Sequence, residues 1–289
     1  MNGRLAADCW QQQSRTRDAE HKILCMLLRS LTICCALLLS ACGTLPSGKG
    51  WGEDATLLPG WERVQTSAVN AAKDPWTWGP LLGAAAFQID DFDRRTSDWA
   101  REHTPVFGSQ RSAERWSDDL RSASSFAHYA TILATPSGDA PGEWIMNKAK
   151  GTLVGVAAVS ATGQITNFLK EQTDRERPNG QDGESFPSGH TSASSVHTRL
   201  ASRNLRSIPM SDTTRTTLDV GLHALTFGTS WARIEAGWHY PADTLFSMAL
   251  GNFIATFIND AFMGLPEGNA NLALQATGDG AIVRWQARF

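Results

Sequence analysis

Three separated groups of side chains are suited to holding an oxyanion and doing chemistry on it. Six residues separate Lys170 from the pair Arg177-Pro178. Pro187-Ser188-Gly189-His190 opens a stretch rich in Ala, Ser and Thr. Arg233, His239 and Asp243 follow, with five and then three residues between them. Phosphoryl transfer loads negative charge onto peripheral oxygens, so its catalysis is mostly positioning plus charge stabilisation. Lys170 at the end of an apolar stretch places a cation where a helix dipole favours one. Arg177 offers a planar fork for two oxygens. Ser188 is a natural N-cap, and the amides of the turn behind it make an anion cradle. Gly189 permits close backbone approach, and His190 can protonate a leaving oxygen. Tyr240-Pro241 starts a helix. Asp243 in its first turn is then expected to reach back to Nδ1 of His239 and free Nε2 for attack.

Each group has a plainer reading. Glu171, Asp174, Arg175 and Glu176 make the first one look like a solvated charged loop. The second is equally well a capped helix with an incidental histidine. The third could be a surface His–Asp pair. His197, seven residues after His190, falls on the same helix face and is expected to pack or to support it. His223 reads as a core histidine, and His103 and His128 show no partner pattern.

All three groups occur once each and in one order. On that basis residues 170–243 resemble the PAP2 (type 2 phosphatidic acid phosphatase) superfamily, with its K-x6-R-P, P-S-G-H and S-R-x5-H-x3-D motifs. The resemblance implies an all-α bundle of the PAP2/acid phosphatase type. It implies a metal-independent phosphatase acting on phosphate monoesters or lipid (di)phosphates through a phosphohistidine on His239. His190 becomes the general acid and Asp243 the partner of His239. Lys170, Arg177, Ser188, Gly189 and Arg233 become the phosphate binders. No cofactor and no metal are expected. Two departures stand out. Ala232 occupies the place of the family's serine, and only eight residues separate Pro178 from Pro187. The other readings are a vanadium haloperoxidase, with His239 as vanadium ligand, and a non-catalytic envelope lipoprotein.

The elements that must position these residues read as helical from about 61 to 264. Trp116, Leu120, Ala123, Ala127 and Ala130 recur at steps of three or four and mark one apolar face. Uncharged stretches at 151–169 and 244–259 contain Gln164, Asn167, Asn252 and Asn259 and read as buried core helices. Residues 265–289 form a tail. Alternation around Gly278-Asp279-Gly280 predicts a short C-terminal β-hairpin.

The beginning of the chain differs from the rest. All five cysteines lie within the first 42 residues. Arg29 precedes the apolar run Leu31–Leu39, and Ser40-Ala41-Cys42 follows. This is the pattern of a secretory signal over 1–41, with Met26 an alternative start. The run is short of the ~20 residues a spanning helix needs. Leu39-Ser40-Ala41-Cys42 resembles a bacterial lipobox, which implies lipidation of Cys42, and Gly43 after it implies outer-membrane sorting. Residues 42–60 then read as lipidated Cys plus flexible tether. The expected setting is a cell envelope, with the protein anchored to the membrane and facing the periplasm. The substrate is then a phosphorylated lipid or small ester. Net charge is −3 overall, +2 over residues 1–41 and −5 beyond. Nothing in that balance points to nucleic acid.

Overall fold

The computed structural model describes residues 43–264 and, in backbone only, 270–277 and 280–287. The expected signal over residues 1–41 and the expected lipidation site Cys42 lie outside the described residues. Eight helices are present among them: α1 Trp61–Lys73, α2 Pro75–Phe87, α3 Phe92–His103, α4 Gln110–Ala134, α5 Pro141–Thr173, α6 Gly189–Leu205, α7 Asp212–Glu235 and α8 Pro241–Met263. The bundle is all-α, as its family resemblance implies. Two strands, β1 Ala270–Thr277 and β2 Gly280–Ala287, pair antiparallel with Thr277 opposite Gly280. They form the expected hairpin, its turn residues 278–279 falling outside the described set.

Helix starts follow local chemistry. Pro75, Pro141 and Pro241 each open a helix, where their missing amide costs no bond. Asp74, Ser109, Ser188 and Ser211 cap α2, α4, α6 and α7 through their side-chain oxygens. Lys170 and Arg233 sit in the last turns of α5 and α7, where cations complement the dipole.

Helices α6 and α8 form the centre and the others surround them. Of residues Thr191–Leu205, all but Ala193 are buried. Much of this interface is hydroxyl rather than hydrocarbon. Ser124 and Ser194 share a 2.7 Å hydrogen bond, Thr198 and Thr226 another of 2.7 Å, and Thr166 and Ser192 one of 3.0 Å. Gly251 lets α8 approach α6 so closely that a Cβ there would lie 2.7 Å from the Ser192 carbonyl. Buried ion pairs, Arg203–Asp260 at 2.6 Å and Arg199–Asp74, close the far end of the core.

Three expectations need correction. The buried face of α4 is Ala113, Ser117, Ser124, His128 and Ile132, one position away from the apolar series, and Trp116 points to solvent. The bonds just described explain the shift, because this helix buries hydroxyls and a histidine. His128 has a partner after all, with Nδ1 3.0 Å from Nδ1 of His197. Burial lowers these imidazoles to about 3 and about 4, so both are neutral at ordinary pH. His223 is only half-buried and stacks on Trp76.

Second, both α5 and α8 are long and apolar enough to cross a membrane, but only α8 is a core helix. α5 buries one stripe through Gly151, Val154, Ala158, Thr162 and Thr166, and exposes Leu153, Val156 and Phe168.

Third, the tether is folded against the bundle from Gly43 to Thr56. Gly43 bridges to Gly138, Trp51 N–H donates to the Pro136 carbonyl at 2.8 Å, and Thr56 N–H donates to Phe262 at 2.9 Å. The Trp51 ring is buried on Gly151, where a Cβ would be 2.3 Å away. The glycine at 52 serves contact, since a Cβ there would meet the Asn147 carbonyl at 2.1 Å. Buried Lys148 secures this corner. Its ammonium bonds the carbonyls at the C-terminus of α4 and lies between the rings of Trp51 and Trp144.

Candidate active site

One end of the bundle gathers the C-termini of α5 and α7, the N-termini of α6 and α8, and the loop 174–188 between α5 and α6. That loop is compact. Ser185 N–H donates to the Arg175 carbonyl at 2.8 Å, Arg177 N–H to Asp182 at 3.0 Å, and Asn179 N–H to Gly237 at 3.1 Å. The short spacing between the two prolines thus closes the loop onto the turn after α7.

His239 is 2% exposed. Its Nδ1 lies 2.5 Å from the Ser185 carbonyl oxygen. A carbonyl only accepts, so Nδ1 carries the hydrogen and Nε2 keeps its lone pair. Burial, then the charges of Arg233 and Lys170, hold the imidazole well below its usual pKa, and Arg177 adds to them. His239 is therefore neutral, with Nε2 unprotonated and three cations acting on it.

These cations differ in their partners. Lys170 donates to the Glu184 carbonyl and lies 4.0 Å from the Glu184 carboxylate. Arg177 meets Asp182 at 2.7 Å and Glu184 at 3.5 Å. Arg233, 6% exposed, has no ion-pair partner among the described residues. One of its amino groups makes a 3.4 Å bond to Ser117, and its Nε is buried without an acceptor. Arg177 and Arg233 both lie over the ring of Trp238, at 4.6 and 4.9 Å. Burial, followed by Arg177, lowers Arg233 to about 10.

At the start of α6, Ser188 is fully buried. Its hydroxyl accepts from the Thr191 amide at 3.4 Å and from the Thr191 hydroxyl at 3.0 Å, and its own amide donates to Ser247 at 2.7 Å. Neither of these bonds uses its hydroxyl hydrogen. The amides of Gly189 and His190, like those opening any helix, have no partner within it. His190 Nε2 is 2.7 Å from Asp118 on α4. Burial first, then Arg233, lowers His190 to about 4, and the Asp118 bond pulls the other way.

The sequence-derived set therefore converges, with one rearrangement. Asp243 is fully buried but does not bond His239. Its oxygens take the Arg175 guanidinium, the Ser185 hydroxyl at 2.6 Å and the Tyr240 amide at 2.9 Å. Burial pushes this carboxyl up to about 6, against the pull of Arg175, Ser185 and Tyr240. Arg175 is accordingly no solvated loop residue. It also bonds Asp93 at 2.7 Å and lies 4.3 Å over the Tyr240 ring. Asp118, Asp93, Arg175, Ser185 and Trp238 all belong to the site and escaped the motif reading. Arg175 lay inside the first motif, and the Asp118-Asp119 pair interrupts an otherwise periodic helix. Asp93, 149 residues from its bonding partner Ala242, had no local signal.

Comparison with known proteins agrees with the motifs. The PAP2 superfamily model matches residues 152–264. No curated protein matches the chain. Among solved structures, it is similar to the first transmembrane PAP2 type phosphatidylglycerolphosphate phosphatase from Bacillus subtilis. The identity is 17% and the TM-score 0.49, over 67% of this chain and 94% of that one.

Proposed function

We propose that this chain, whose residues 152–264 match the PAP2 superfamily model, is a metal-independent phosphatase working through a phosphohistidine. The observation that carries the reading is a buried, neutral imidazole pinned at Nδ1 and acted on by three cations. Nε2 of His239 attacks phosphorus as the bond to the leaving oxygen breaks, and protonated His190 delivers its proton to that oxygen. Water then gives a proton to His190 and attacks phosphorus. The P–N bond breaks and phosphate leaves. Lys170, Arg177 and Arg233 take up the charge on the equatorial oxygens.

A lipid phosphate or diphosphate is the favoured substrate. Ile89, Phe92 and Trp99 expose apolar side chains on the segments that bring Asp93 to the site. A lipidated Cys42 in a bacterial envelope, on the outer membrane facing the periplasm, accords with such a substrate. The test is turnover by the purified chain of phosphatidate, a polyprenyl diphosphate and p-nitrophenyl phosphate, all in EDTA. We expect activity on at least one and competitive inhibition by vanadate. Loss of all activity in EDTA contradicts the metal-independent reading, and halide oxidation with bound vanadate replaces it by a haloperoxidase.

The pair His190–Asp118 gives a pH prediction. Free enzyme needs His190 protonated, and its pKa is already depressed to about 4. A bound phosphate offsets the cations that add to burial in depressing it, and so raises it. Asp118→Asn removes a group that raises it in both states. The basic limb of kcat/KM then moves to lower pH. A pH–rate profile with an unactivated alkyl phosphate reads this directly, and an unmoved limb places the acid's proton elsewhere.

A further inference from the structure

We infer that Ser185 and Arg175 are positioning residues, and that Asp243 governs His239 through them rather than by touching it. The inference rests on the reading of His239 as nucleophile. Every polar group around Asp243 is accounted for. One oxygen takes Arg175, the other takes the Ser185 hydroxyl and the Tyr240 amide that closes the α8 capping box. The acceptor for His239 Nδ1 is the backbone carbonyl of Ser185. The carboxylate thus grips the hydroxyl of the residue whose carbonyl fixes the imidazole.

A second carboxylate completes the latch. Asp93, 5% exposed, takes Arg175 with one oxygen and the Ala242 amide, at 2.7 Å, with the other. One guanidinium therefore joins the loop to the first turns of both α3 and α8. Asp90 and Asp91, just before α3, are held at φ 54°, a left-handed conformation that non-glycine residues rarely adopt. The Arg175–Tyr240 stack adds a further contact on the same joint. The latch sets the distance between the loop and the α8 N-terminus, and so the place of the imidazole between them.

A direct Asp–His dyad and this latch predict different tautomers. In a dyad, Asp→Asn presents the wrong group to Nδ1, flips the tautomer and lowers kcat by ~10⁴. In the latch, Asp243→Asn leaves the Ser185 carbonyl in place. The test is ¹⁵N NMR of the full chain labelled in histidine, with His239 assigned by difference against His239→Gln. We expect Nδ1–H in wild type and in Asp243→Asn, with kcat lowered on the order of 10- to 100-fold by misplacement alone. We expect Ser185→Ala to keep Nδ1–H, to lower kcat by about 10-fold at nearly constant KM, and Ser185→Thr to recover part of it. An Nε2–H signal in Asp243→Asn overturns the latch, and so does an unchanged kcat in Ser185→Ala. If wild type turns over no phosphate ester, the phosphatase reading fails, while the tautomer measurement still decides the latch.

Discussion

His239→Ala is expected to lower kcat by at least ~10⁴-fold, with the fold intact. Lys170, Arg177 and Arg233 are each held by partners other than His239, so truncation leaves them in place. Phosphate and vanadate therefore still bind, and KM or Ki moves far less than kcat. What remains is water attacking a substrate held among cations, with His190 still able to protonate the leaving group. Such residual catalysis is real but small against a covalent route. The direct companion measurement is a quenched reaction with labelled substrate. Wild type carries acid-labile, alkali-stable label on the peptide containing residue 239, and the variant carries none. Label that persists on another residue in the variant moves the nucleophile there.

The placement of the candidate site was more legible in this sequence than the packing. Lys170, Arg177, His190, Arg233 and His239 carry functional groups that have few uses in combination. Their spacings place them at helix ends, and helix ends meet at one pole of a bundle. Asp118 and Asp93 enter from α4 and α3, 72 and 149 positions from the groups they bond, and no local pattern can register that. The family pattern did supply a role for Asp243, and the expected role was direct. Geometry interposes Ser185, because the short loop brings a backbone carbonyl to Nδ1 first.

Core residues were misread for a related reason. Periodicity analysis counts hydrocarbon, whereas α4, α6 and α7 meet through Ser124, Ser194, Thr198 and Thr226. Hydroxyls bonded across an interface are satisfied when buried, so they can replace aliphatic side chains where backbones approach closely. The segment before α1 fails the same test. Glycines there looked like flexibility, yet Gly52 is a contact point on α5. Composition alone cannot separate a glycine that loosens a chain from one that lets it pack.

Arg233→Met is expected to separate activity from stability. Activity should fall by about 10²–10³ in kcat, since the proposed mechanism makes the residue a positioned donor to the transferring phosphoryl group. Stability should rise. Arg233 is buried, lacks a carboxylate at ion-pair distance among the described residues, and has an unpartnered Nε. Its favourable interactions are a 3.4 Å bond to Ser117, the Trp238 face at 4.9 Å and the longer-range attraction of Glu114 and Asp118. Together those contribute roughly 1–3 kcal/mol. Against them stand the desolvation of an unpaired guanidinium, which costs several kcal/mol, and repulsion from Arg177. Removing the charge therefore nets about 1 kcal/mol, or a Tm higher by ~2–4 °C for a body of this size. Vanadate should reverse the order. Bound oxyanion partners Arg233 in wild type and raises its Tm by linkage, while the variant gains little. Thermal melts of both proteins with and without vanadate settle it, and a variant that melts lower than wild type in plain buffer makes Arg233 a structural residue. The expected pattern follows from a site that holds like charges together ahead of its substrate, so that the anion supplies the missing counter-charge and the binding energy is spent on the group to be transferred.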